Sequence, residues 1–573
     1  MRTIAEELTL LVSQAAETMG HVGFSVDACV PTASAQHGDY QSNFAFRLGK
    51  HLKMNPRAMA QAMVDALPPH PAVVGAEVAG PGFINFRLSE AWLAQNVGER
   101  LAADRMGPPA PGAEKTVVID YSSPNVAKRM HVGHLRSTII GGALHQLHRF
   151  LGWNVVADNH IGDWGTQFGK LIVAWHEWRD EAAYAEDAIA ELQRLYVLFG
   201  EKAKAQPDLE DRARAETARL QSGDPENVRL WTQFVEVSLV EFDALYQRMG
   251  IKFDVILGES FYRDDLKPLV DRMLADGIAV DSDGAVIVPL GDVEPQFAEQ
   301  PLLVRKSDGA ALYGTTDLAT VYYRQKTWAP DKVVYVTDMR QRDHFRQVFA
   351  ACRKMGIEHN FVHVYFGMLR LPDGAVPSSR SGLALNLKEV LDIAVAHARK
   401  VVDEKSGHLS DIERAEIAEA VGVGAIRYAD LSQNPQTDIV FDLAKMLSLD
   451  GNTAPYLMYA HARCKSILRK AADEGASSGP MVLEHPLERE LALAVARLPE
   501  AVLDAANSYR PNLLCEYLFG LANTFARFYG ACRVLGADVE PNTTASRLAL
   551  TAATAMALRE GMGIVGLRAL DRM

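Results

Sequence analysis

Two histidines three residues apart enclose a glycine in a short run, His131-Val132-Gly133-His134. The run follows Thr116 to Asp120, an apolar strand-like segment, and precedes Leu135 to Leu151, whose apolar spacing is helical. The order strand, loop, helix places the run at the carboxyl edge of an open α/β sheet. Ligands bind at that edge, and a helix N-terminus there favours phosphate oxygens. The run is therefore predicted to bind a nucleotide.

Each residue type has a mechanical role in such a site. Gly133 lacks a Cβ, so a base or ribose can approach the backbone closely. His131 and His134 share one helix face and can donate hydrogen bonds to a triphosphate. Taken alone, paired histidines at this spacing also fit a metal site or a solvated helix face.

A second glycine-rich loop favours the nucleotide interpretation. It runs from Asp158 to Gly169 and follows another apolar run, Trp153 to Ala157. Glycines among polar side chains at the end of a strand are typical of a ligand loop. The two loops together predict one binding site at the sheet edge.

The bulk properties exclude several classes of protein. At 573 residues the chain is too long for one core, so several domains are expected. It has no run of about 18 uncharged apolar residues, so no membrane span is expected. Glu6 and Glu7 stand where a signal peptide would be apolar, and we expect a cytoplasmic protein.

Cysteine usage and net charge further limit the classes of protein that fit the sequence. The five cysteines are scattered and form no CxxC pair, which argues against a disulfide framework and against a cysteine zinc site. The net charge of -13 speaks against bulk attraction to nucleic acid but is compatible with a local basic face.

The order of patterns along the chain predicts its domains. Residues 1 to about 106 are a predicted small α+β domain, with a helix from Ile4 to Met19 and a strand from Gly82 to Phe86. Gly107 to Gly112 is rich in proline and glycine and is a predicted linker. Beyond it, strands alternate with helices, which indicates a parallel sheet.

Helical patterns dominate two later regions. One is a charged insertion from Trp175 to about Gly250, and the other extends from Leu383 to the end. Between them, strand patterns return at Ala285 to Val288, Leu302 to Arg305 and Val333 to Thr337. We therefore divide the chain into residues 1–106, a sheet domain 107–382 with its insertion at about 175–250, a helical connecting segment 383–450, and a helical bundle 451–573.

Further motifs occur in a characteristic order. They are Gly38-Asp39-Tyr40, Gly80 to Phe86, Ser122 to Lys128, His160 to Gly169, Leu312 to Ala319, Asp338 to Gln341, Gly451 to Tyr456 and Phe528-Tyr529. With these motifs the chain resembles the class I aminoacyl-tRNA synthetases, and in detail the arginyl-tRNA synthetase family. The resemblance covers essentially the whole length.

The resemblance implies a fold and a reaction. The fold would be a Rossmann-like parallel sheet catalytic domain with a small α+β N-terminal domain and an all-α C-terminal bundle. Arginine would attack the α-phosphate of ATP, which enters with Mg²⁺, to give arginyl-adenylate. The terminal ribose of tRNA(Arg) would then take the arginyl group through its 2′-hydroxyl. In this family the first step commonly requires bound tRNA, and no tightly bound metal is expected.

The resemblance also implies roles for individual residues. The positions aligned with the arginine pocket are Asp120, Asn125, Tyr313, Asp317 and Gln341. The positions aligned with ATP binding are His131, Gly133, His134, Gly162, Asp163 and Gly165. Asp317 is the expected partner of the guanidinium, because a carboxylate accepts its N–H donors in a planar pair. From the residues alone, Asp317 could instead cap a helix that starts at Leu318.

The C-terminal bundle is the expected tRNA-binding region. Its candidate residues combine cations for phosphates with aromatic rings for unstacked bases, namely Tyr456, Tyr459, Arg463, Arg527 and Phe528. The alternative is a solvated basic helix face. The N-terminal domain is expected to touch the body of the tRNA, and the protein is expected to be a monomer.

One part of the family pattern is missing. A lysine-rich loop that grips pyrophosphate should follow Phe366, but Asp373 to Gly382 contains no lysine. Lys128 and Arg380 are the cations that could replace it, which gives His131, His134, Lys128 and Arg380 as the candidate catalytic residues. Arg129 stands where the family usually has proline or an acid, and nothing in the sequence explains it.

Two other functions fit part of this pattern. A small-molecule adenylating or nucleotidyl-transferring enzyme could use the same histidine loop without tRNA, although the long bundle argues against it. A non-catalytic RNA-binding paralogue would explain the lysine-free loop, although the intact His131, Gly133 and His134 oppose it.

A substitution of Lys128 tests whether this residue replaces the cations of the missing lysine-rich loop. We expect Lys128→Ala to lower adenylate formation far more than arginine binding, because the lost charge would face phosphate and not the amino acid. Adenylate formation and arginine affinity are measured on both proteins. Equal turnover in the two would remove Lys128 from the catalytic set.

Overall fold

The computed structural model describes residues 1–108, 110–358, 360–370, 374, 386–448 and 451–573. The chain forms two compact units. The first consists of Met1–Pro111 and Ser448–Met573, and the second is Gly112–Leu447. The first break lies inside the predicted linker, and residues 386–447 belong to the second unit. No helix of the described residues has the length and apolar character needed to cross a membrane.

The N-terminal part of the first unit is an α+β fold. Its helices are α1 (Ile4–Thr18), α2 (Phe44–Leu52), α3 (Pro56–Asp65) and α4 (Glu90–Ala102). Its strands are β1 (Val30–Pro31), β2 (Tyr40–Ser42), β3 (Val73–Ala79) and β4 (Phe83–Leu88), and they pair antiparallel in the order β1-β2-β4-β3. Thr3 and Glu6 form a reciprocal capping box that starts α1.

The second unit is built on a four-stranded parallel sheet, which confirms the predicted fold class. Its strands are β5 (Thr116–Asp120), β6 (Asn154–Asp158), β10 (Lys332–Asp338) and β11 (Asn360–Phe366), in the order β11-β10-β5-β6. Helix α5 (Val132–Phe150) connects β5 to β6. The loop between β5 and α5 therefore lies at the carboxyl edge of the central strands, as the sequence predicts.

Five helices occupy the region of the predicted insertion. Its helices are α6 (Thr166–Trp178), α7 (Glu181–Glu186), α8 (Ala188–Ala205), α9 (Asp208–Gln221) and α10 (Pro225–Arg248). Asp180, Asp187 and Asp224 accept backbone N–H bonds as N-caps of α7, α8 and α10, so a carboxylate fixes the start of each of these three helices.

Two predicted strands lie outside the parallel sheet. After α11 (Arg263–Ala275), strands β7 (Val280–Ser282), β8 (Ala285–Val288) and β9 (Leu302–Arg305) form a separate antiparallel sheet. Asp283 and Gly284 both have positive φ, 54° and 79°, as the two-residue turn of a hairpin requires. The strands were predicted correctly, but the Asp-Gly pair makes an antiparallel hairpin and excludes a parallel crossover here.

The remaining elements of the second unit are mostly helical. Helices α12 (Tyr313–Trp328) and α13 (Arg342–Lys354) flank β10, and α14 (Leu387–Lys405), α15 (Asp411–Leu431) and α16 (Leu443–Met446) follow the sheet. Strands β12 (Leu369–Arg370) and β13 (Ile439–Val440) form a two-stranded parallel pair. Arg136 of α5 is buried, pairs with Asp430 of α15 and donates to the carbonyl of Gly367, so it joins the first helix of the sheet to the helices that follow it.

The C-terminal part of the first unit is the expected helical bundle. Its helices are α17 (Ala454–Asp473), α18 (Pro486–Ala496), α19 (Leu498–Asn507), α20 (Pro511–Ala531) and α21 (Pro541–Ile564). The N-terminal motif Gly38-Asp39-Tyr40 docks on it: Arg489 donates two hydrogen bonds to the Asp39 carboxylate at 3.0 and 2.7 Å, and the Tyr40 hydroxyl donates to Glu500 at 2.7 Å. These motif residues therefore hold the two ends of the chain together.

Candidate active site

A buried guanidinium joins the ends of the two strands next to the site. Asp120 and Asp158 are paired in register at the ends of β5 and β6. Arg324 of α12 donates to Asp120 Oδ2 at 2.6 Å and to Asp158 Oδ2 at 2.7 Å. Burial opposes its charge, but the two carboxylates outweigh burial and hold the pKa of Arg324 well above its usual range. Asp120 thus serves an internal arginine, and its contact with a substrate arginine stays a prediction.

The loop that follows Asp120 has an unusual backbone. Ser122, Ser123 and Ala127 all have left-handed conformations, with φ of 74°, 47° and 60°. Such conformations cost roughly 1–3 kcal/mol each for residues with a Cβ and persist only where surrounding contacts enforce them. The loop is therefore held in shape by its neighbours and not by its own preferences.

Buried hydrogen bonds provide that support around Ser122. Its N–H donates to Ser137 Oγ of α5 at 2.9 Å, and its hydroxyl is 2.8 Å from both Thr138 Oγ1 and the Tyr246 hydroxyl of α10. The next residue, Ser123, donates its N–H to Asn159 Oδ1 at 3.0 Å. Helix α5, the second glycine loop and helix α10 of the insertion thus fix the start of the loop.

The insertion also fixes the end of the loop. The N–H of Ala127 donates to Ser238 Oγ of α10 at 2.8 Å. The Lys128 ammonium lies 3.8 Å from the centre of the Tyr196 ring of α8. Arg129 forms an ion pair with Asp187. The charged helices that sequence analysis treated as an insertion therefore contact each of these loop residues.

The two imidazoles form a compact pair at the start of α5. His131 is the N-cap residue, and its Nδ1 accepts the N–H of Gly133 at 3.0 Å. His134 Nδ1 accepts the N–H of His131 at 3.2 Å, and the ring centres are 4.1 Å apart. With both Nδ1 atoms accepting, each neutral ring carries its proton on Nε2 and presents a donor there.

Burial keeps both rings neutral. It lowers the pKa of His131, with help from the nearby Lys128 charge, and together with the neighbouring His131 it lowers the pKa of His134 to about 3. A Cβ on residue 133 would lie 2.6 Å from His131 Cε1. A side chain at residue 133 would therefore displace the His131 ring from its present position. This adds a structural reason for glycine here to the ligand approach that the sequence predicts.

The second glycine loop packs against the first. Asn125 and Gly162 form a parallel bridge, and a Cβ on residue 162 would overlap Asn125 Oδ1. Gly165 has a φ of 127° at the N-cap of α6, which favours glycine. The Asp163 carboxylate accepts the N–H and the hydroxyl of Ser260, at 2.8 and 2.6 Å. Asp163 thus has a structural partner in Ser260, and its contact with ATP stays a prediction.

The remaining arginine-pocket candidates lie on α12 and at the start of α13. Tyr313 is 75% exposed at the first position of α12, and Gln341 is exposed at the N-cap of α13. Because α12 begins at Tyr313, Asp317 lies inside the helix, and the alternative of a cap for a helix starting at Leu318 is wrong. Asp317 and Arg324 are seven residues apart, so they share one helix face.

Two residues that sequence analysis missed belong to this region. His344 Nε2 lies 2.5 Å from Asp317 Oδ2. Burial opposes a charge on His344, but Asp317 outweighs it and raises the His344 pKa above the ordinary value. Burial, followed by the Asp163 and Asp317 charges, raises the pKa of Glu259 to about 7 against the opposing charge of His160. Neither His344 nor Glu259 belongs to a sequence motif, and only the folded structure shows that each interacts with Asp317.

Comparisons with known proteins agree on one family. The family model described as "tRNA synthetases class I (R), catalytic domain" matches residues 96–443. Models of the DALR anticodon binding domain and of the arginyl tRNA synthetase N terminal domain match residues 457–573 and 6–88.

Individual relatives match over almost the whole length. The arginine–tRNA ligase of Fusobacterium nucleatum is 44% identical over 546 residues, which cover 94% of this chain and 93% of the relative. That of Frankia casuarinae is 42% identical and covers 100% of this chain and 99% of the relative. The solved structure of Thermus thermophilus arginyl-tRNA synthetase has a TM-score of 0.86 at 26% identity and covers 100% of both chains.

The chain belongs to the class I arginyl-tRNA synthetase family. As an aminoacyl-tRNA ligase of this class, it uses ATP as a substrate. Arg380 and most of the loop that replaces the family's lysine-rich signature lie outside the described residues. Among the described residues, no cluster of three or more His, Cys, Asp or Glu side chains could hold a metal ion.

The anticodon-binding candidates divide into surface and core residues. Tyr459 and Tyr529 are 45% and 42% exposed, and the Arg463 guanidinium lies 4.6 and 5.1 Å from their ring centres. Phe528 is fully buried, so the prediction that it contacts tRNA is wrong, and the exposed ring at this point is Tyr529. The stripe of buried residues at Leu521, Phe525 and Phe528 has helical spacing and could have revealed this in the sequence.

The other two candidates have protein partners in the bundle. Tyr456 donates its hydroxyl to Asn523 Oδ1 at 2.6 Å, and its ring packs against Phe519. Arg527 forms an exposed ion pair with Glu490. The Arg527 ion pair leaves this guanidinium available to a phosphate, because an exposed pair of this kind contributes little to stability.

Ser238 tests whether the insertion enforces the loop. In Ser238→Ala the buried Ala127 N–H loses its acceptor, so we expect a loss of about 1–3 kcal/mol in unfolding free energy and slower adenylate formation. Thr232→Ala is the matched control, because Thr232 is an exposed residue of the same helix whose hydroxyl also bonds four residues back. Urea unfolding and single-turnover kinetics measure both effects. Equal behaviour of the two variants would contradict the role of Ser238.

Proposed function

We propose that the chain ligates L-arginine to tRNA(Arg) in two steps. An arginine carboxylate oxygen attacks the α-phosphorus of ATP, and pyrophosphate leaves. The 2′-hydroxyl of the terminal adenosine of the tRNA then attacks the carbonyl carbon, and AMP leaves as the ribose proton is released. The proposal rests chiefly on the strained loop that presents two Nε2 donors at a helix N-terminus beside the ends of β5 and β6.

The first step needs positioning and charge stabilisation, and no covalent nucleophile. In the transition state, charge moves onto the α-phosphate and the leaving pyrophosphate. The neutral His131 and His134 rings would donate from Nε2 to those oxygens without needing to be charged. Lys128 would supply the positive charge that the imidazoles lack.

Asn125 and the glycines of the second loop would complete the ATP and arginine sites. Because residue 162 has no Cβ, the Asn125 side chain lies directly on the backbone of the second loop. Gly162 and Gly165 would let the adenosine approach the backbone closely. Mg²⁺ would enter as the counter-ion of ATP.

The guanidinium pocket would be centred on Asp317. This helix face is directed toward the strand ends, because Arg324 on the same face reaches Asp120 and Asp158. Tyr313 and Gln341 would border the pocket, and His344 would hold the Asp317 carboxylate in place. A site built from such hydrogen bonds can reject analogues that lack the donors by roughly 10⁴-fold, so no editing step is required.

The first unit would bind the tRNA. Arg463, placed between the rings of Tyr459 and Tyr529, would contact the anticodon loop by phosphate attraction and base stacking. Residues 1–106 would touch the tRNA body. We also propose a monomeric, cytoplasmic protein, for which the five buried free cysteines are consistent support.

Pyrophosphate exchange across a panel of amino acids tests this function. With ATP, tRNA(Arg) and arginine we expect exchange, and with lysine or citrulline at equal concentration we expect almost none, because neither offers the full set of guanidinium donors. Charging of tRNA with labelled arginine is the second readout. Exchange without tRNA charging would indicate a small-molecule adenylating enzyme, and no exchange would indicate a non-catalytic RNA-binding protein.

The arginine pocket should respond to pH in a defined direction. As pH rises through about 7, Glu259 gains its negative charge, and His344 loses its positive charge as pH passes its raised pKa. Both changes strengthen the attraction for a guanidinium, so we expect KM for arginine to fall between about pH 6 and pH 8. KM for ATP serves as the internal reference.

Glu259→Gln should remove part of this pH dependence, because the amide cannot ionise. Glu299→Gln is the matched control, since Glu299 is exposed. A KM for arginine that is independent of pH in the wild type, or an equal effect of the two substitutions, would exclude Glu259 from the pocket.

A further inference from the structure

Arg129 has a partner in the insertion that explains its presence. Its guanidinium pairs with Asp187, and its backbone N–H donates to Gln193 Oε1 at 3.2 Å. Asp187 is itself fixed, because it caps α8 and accepts the N–H of Ala190 at 3.0 Å. The loop is therefore anchored to the beginning of α8 immediately after Lys128.

The anchor places Lys128 over an aromatic ring. The Lys128 ammonium lies 3.8 Å from the centre of the Tyr196 ring, which is three residues beyond Gln193 on the same helix. At that spacing Gln193 and Tyr196 share one face of α8. An ammonium over the face of a tyrosine is attracted by the ring quadrupole. On the other side of Lys128, Ala127 is held by Ser238 of α10.

Lys128 is also close enough to the imidazoles to affect them. Burial is the main reason that the pKa of His131 and that of His134 are lowered, and the Lys128 charge contributes to both. The ammonium thus contacts the aromatic ring and acts through its charge on the histidine pair. A lysine on a free loop would spread its charge over many rotamers, whereas this one is confined.

We propose that Tyr196 is a positioning residue that holds the Lys128 ammonium beside the histidine pair, with the Arg129–Asp187 ion pair as the anchor that sets the loop against α8. The insertion then has a role in catalysis, because it fixes the cation that replaces the missing lysine-rich signature. This inference rests on the proposed function, in which Lys128 faces the phosphates of ATP.

The aromatic face carries the contact, so the test compares a variant that keeps it with one that loses it. In Tyr196→Phe the ring remains, and adenylate formation should stay near the wild-type rate. In Tyr196→Leu we expect roughly a ten-fold loss in single-turnover adenylate formation at saturating arginine, the order of a partly desolvated cation–π contact. KM for arginine should not change in either variant.

Two controls separate positioning from general damage. Tyr184→Leu makes the same change in the neighbouring helix of the insertion, where the ring packs on Trp175 and the hydroxyl accepts a hydrogen bond from Gln233, whereas Lys128 lies over Tyr196. It should leave the rate of adenylate formation near wild type. In the Lys128→Ala background, Tyr196→Leu should cause no additional loss, because the group that it positions is absent. Single-turnover kinetics remain measurable even when that background is slow.

Each other outcome overturns the inference. If Tyr196→Leu retains the wild-type rate, Tyr196 does not act through Lys128. The same conclusion follows if the loss of rate in the double variant equals the product of the losses in the two single variants. If Tyr196→Phe is as slow as Tyr196→Leu, the hydroxyl and not the ring face matters. If the wild type shows no arginine-dependent pyrophosphate exchange, the proposed function itself is contradicted. A failure of the inference about Tyr196 is therefore distinguishable from a failure of the proposed function.

Discussion

The backbone of the loop between β5 and α5 is the constraint on which the rest of the site depends. Ser122, Ser123 and Ala127 adopt left-handed conformations that none of them prefers. Hydrogen bonds from α5, from the second glycine loop and from α10 hold them there. The strain is the cost of presenting Asn125, Lys128 and the histidine pair from one short segment, and the packing of three separate regions offsets it.

Charge is distributed so that each region of the site has a separate task. Arg324 bridges Asp120 and Asp158 beneath the loop, and its positive charge offsets part of the repulsion between two buried carboxylates at adjacent strand ends. The imidazoles are neutral donors, and the positive charge of the loop is carried by Lys128 over the Tyr196 ring. In the proposed pocket, Asp317 and Glu259 would form the negative region that suits a guanidinium.

Local sequence patterns predicted the elements and the main loop. Strand β5, helix α5 and the insertion follow directly from apolar spacing, and the position of the His131 run at the sheet edge follows from their order. Two further features also follow from local patterns. The helical spacing of apolar residues in α20 indicates that Phe528 is in the core, and the Asp283-Gly284 pair indicates a hairpin of β7 and β8.

Contacts between distant segments were not readable from one sequence. His344 and Asp317 are separated by 27 residues, and Arg324 lies 204 residues from Asp120. Nothing in the spacing of these residues reveals that they meet, because the meeting depends on how α12 packs against the sheet. The role of Arg129 was invisible for the same reason, since its partner Asp187 belongs to a helix that the sequence shows only as charged and helical.

The central claim is that one strained loop holds ATP phosphates next to a carboxylate pocket for a guanidinium. A crystal structure with a non-hydrolysable arginyl-adenylate analogue tests it most directly. The account predicts the phosphate-mimicking group within hydrogen-bond distance of His131 or His134 Nε2, and the guanidinium paired with Asp317. An analogue bound with its guanidinium away from Asp317, or a loop that abandons the left-handed backbone at Ser122 and Ala127 when the ligand binds, would contradict it.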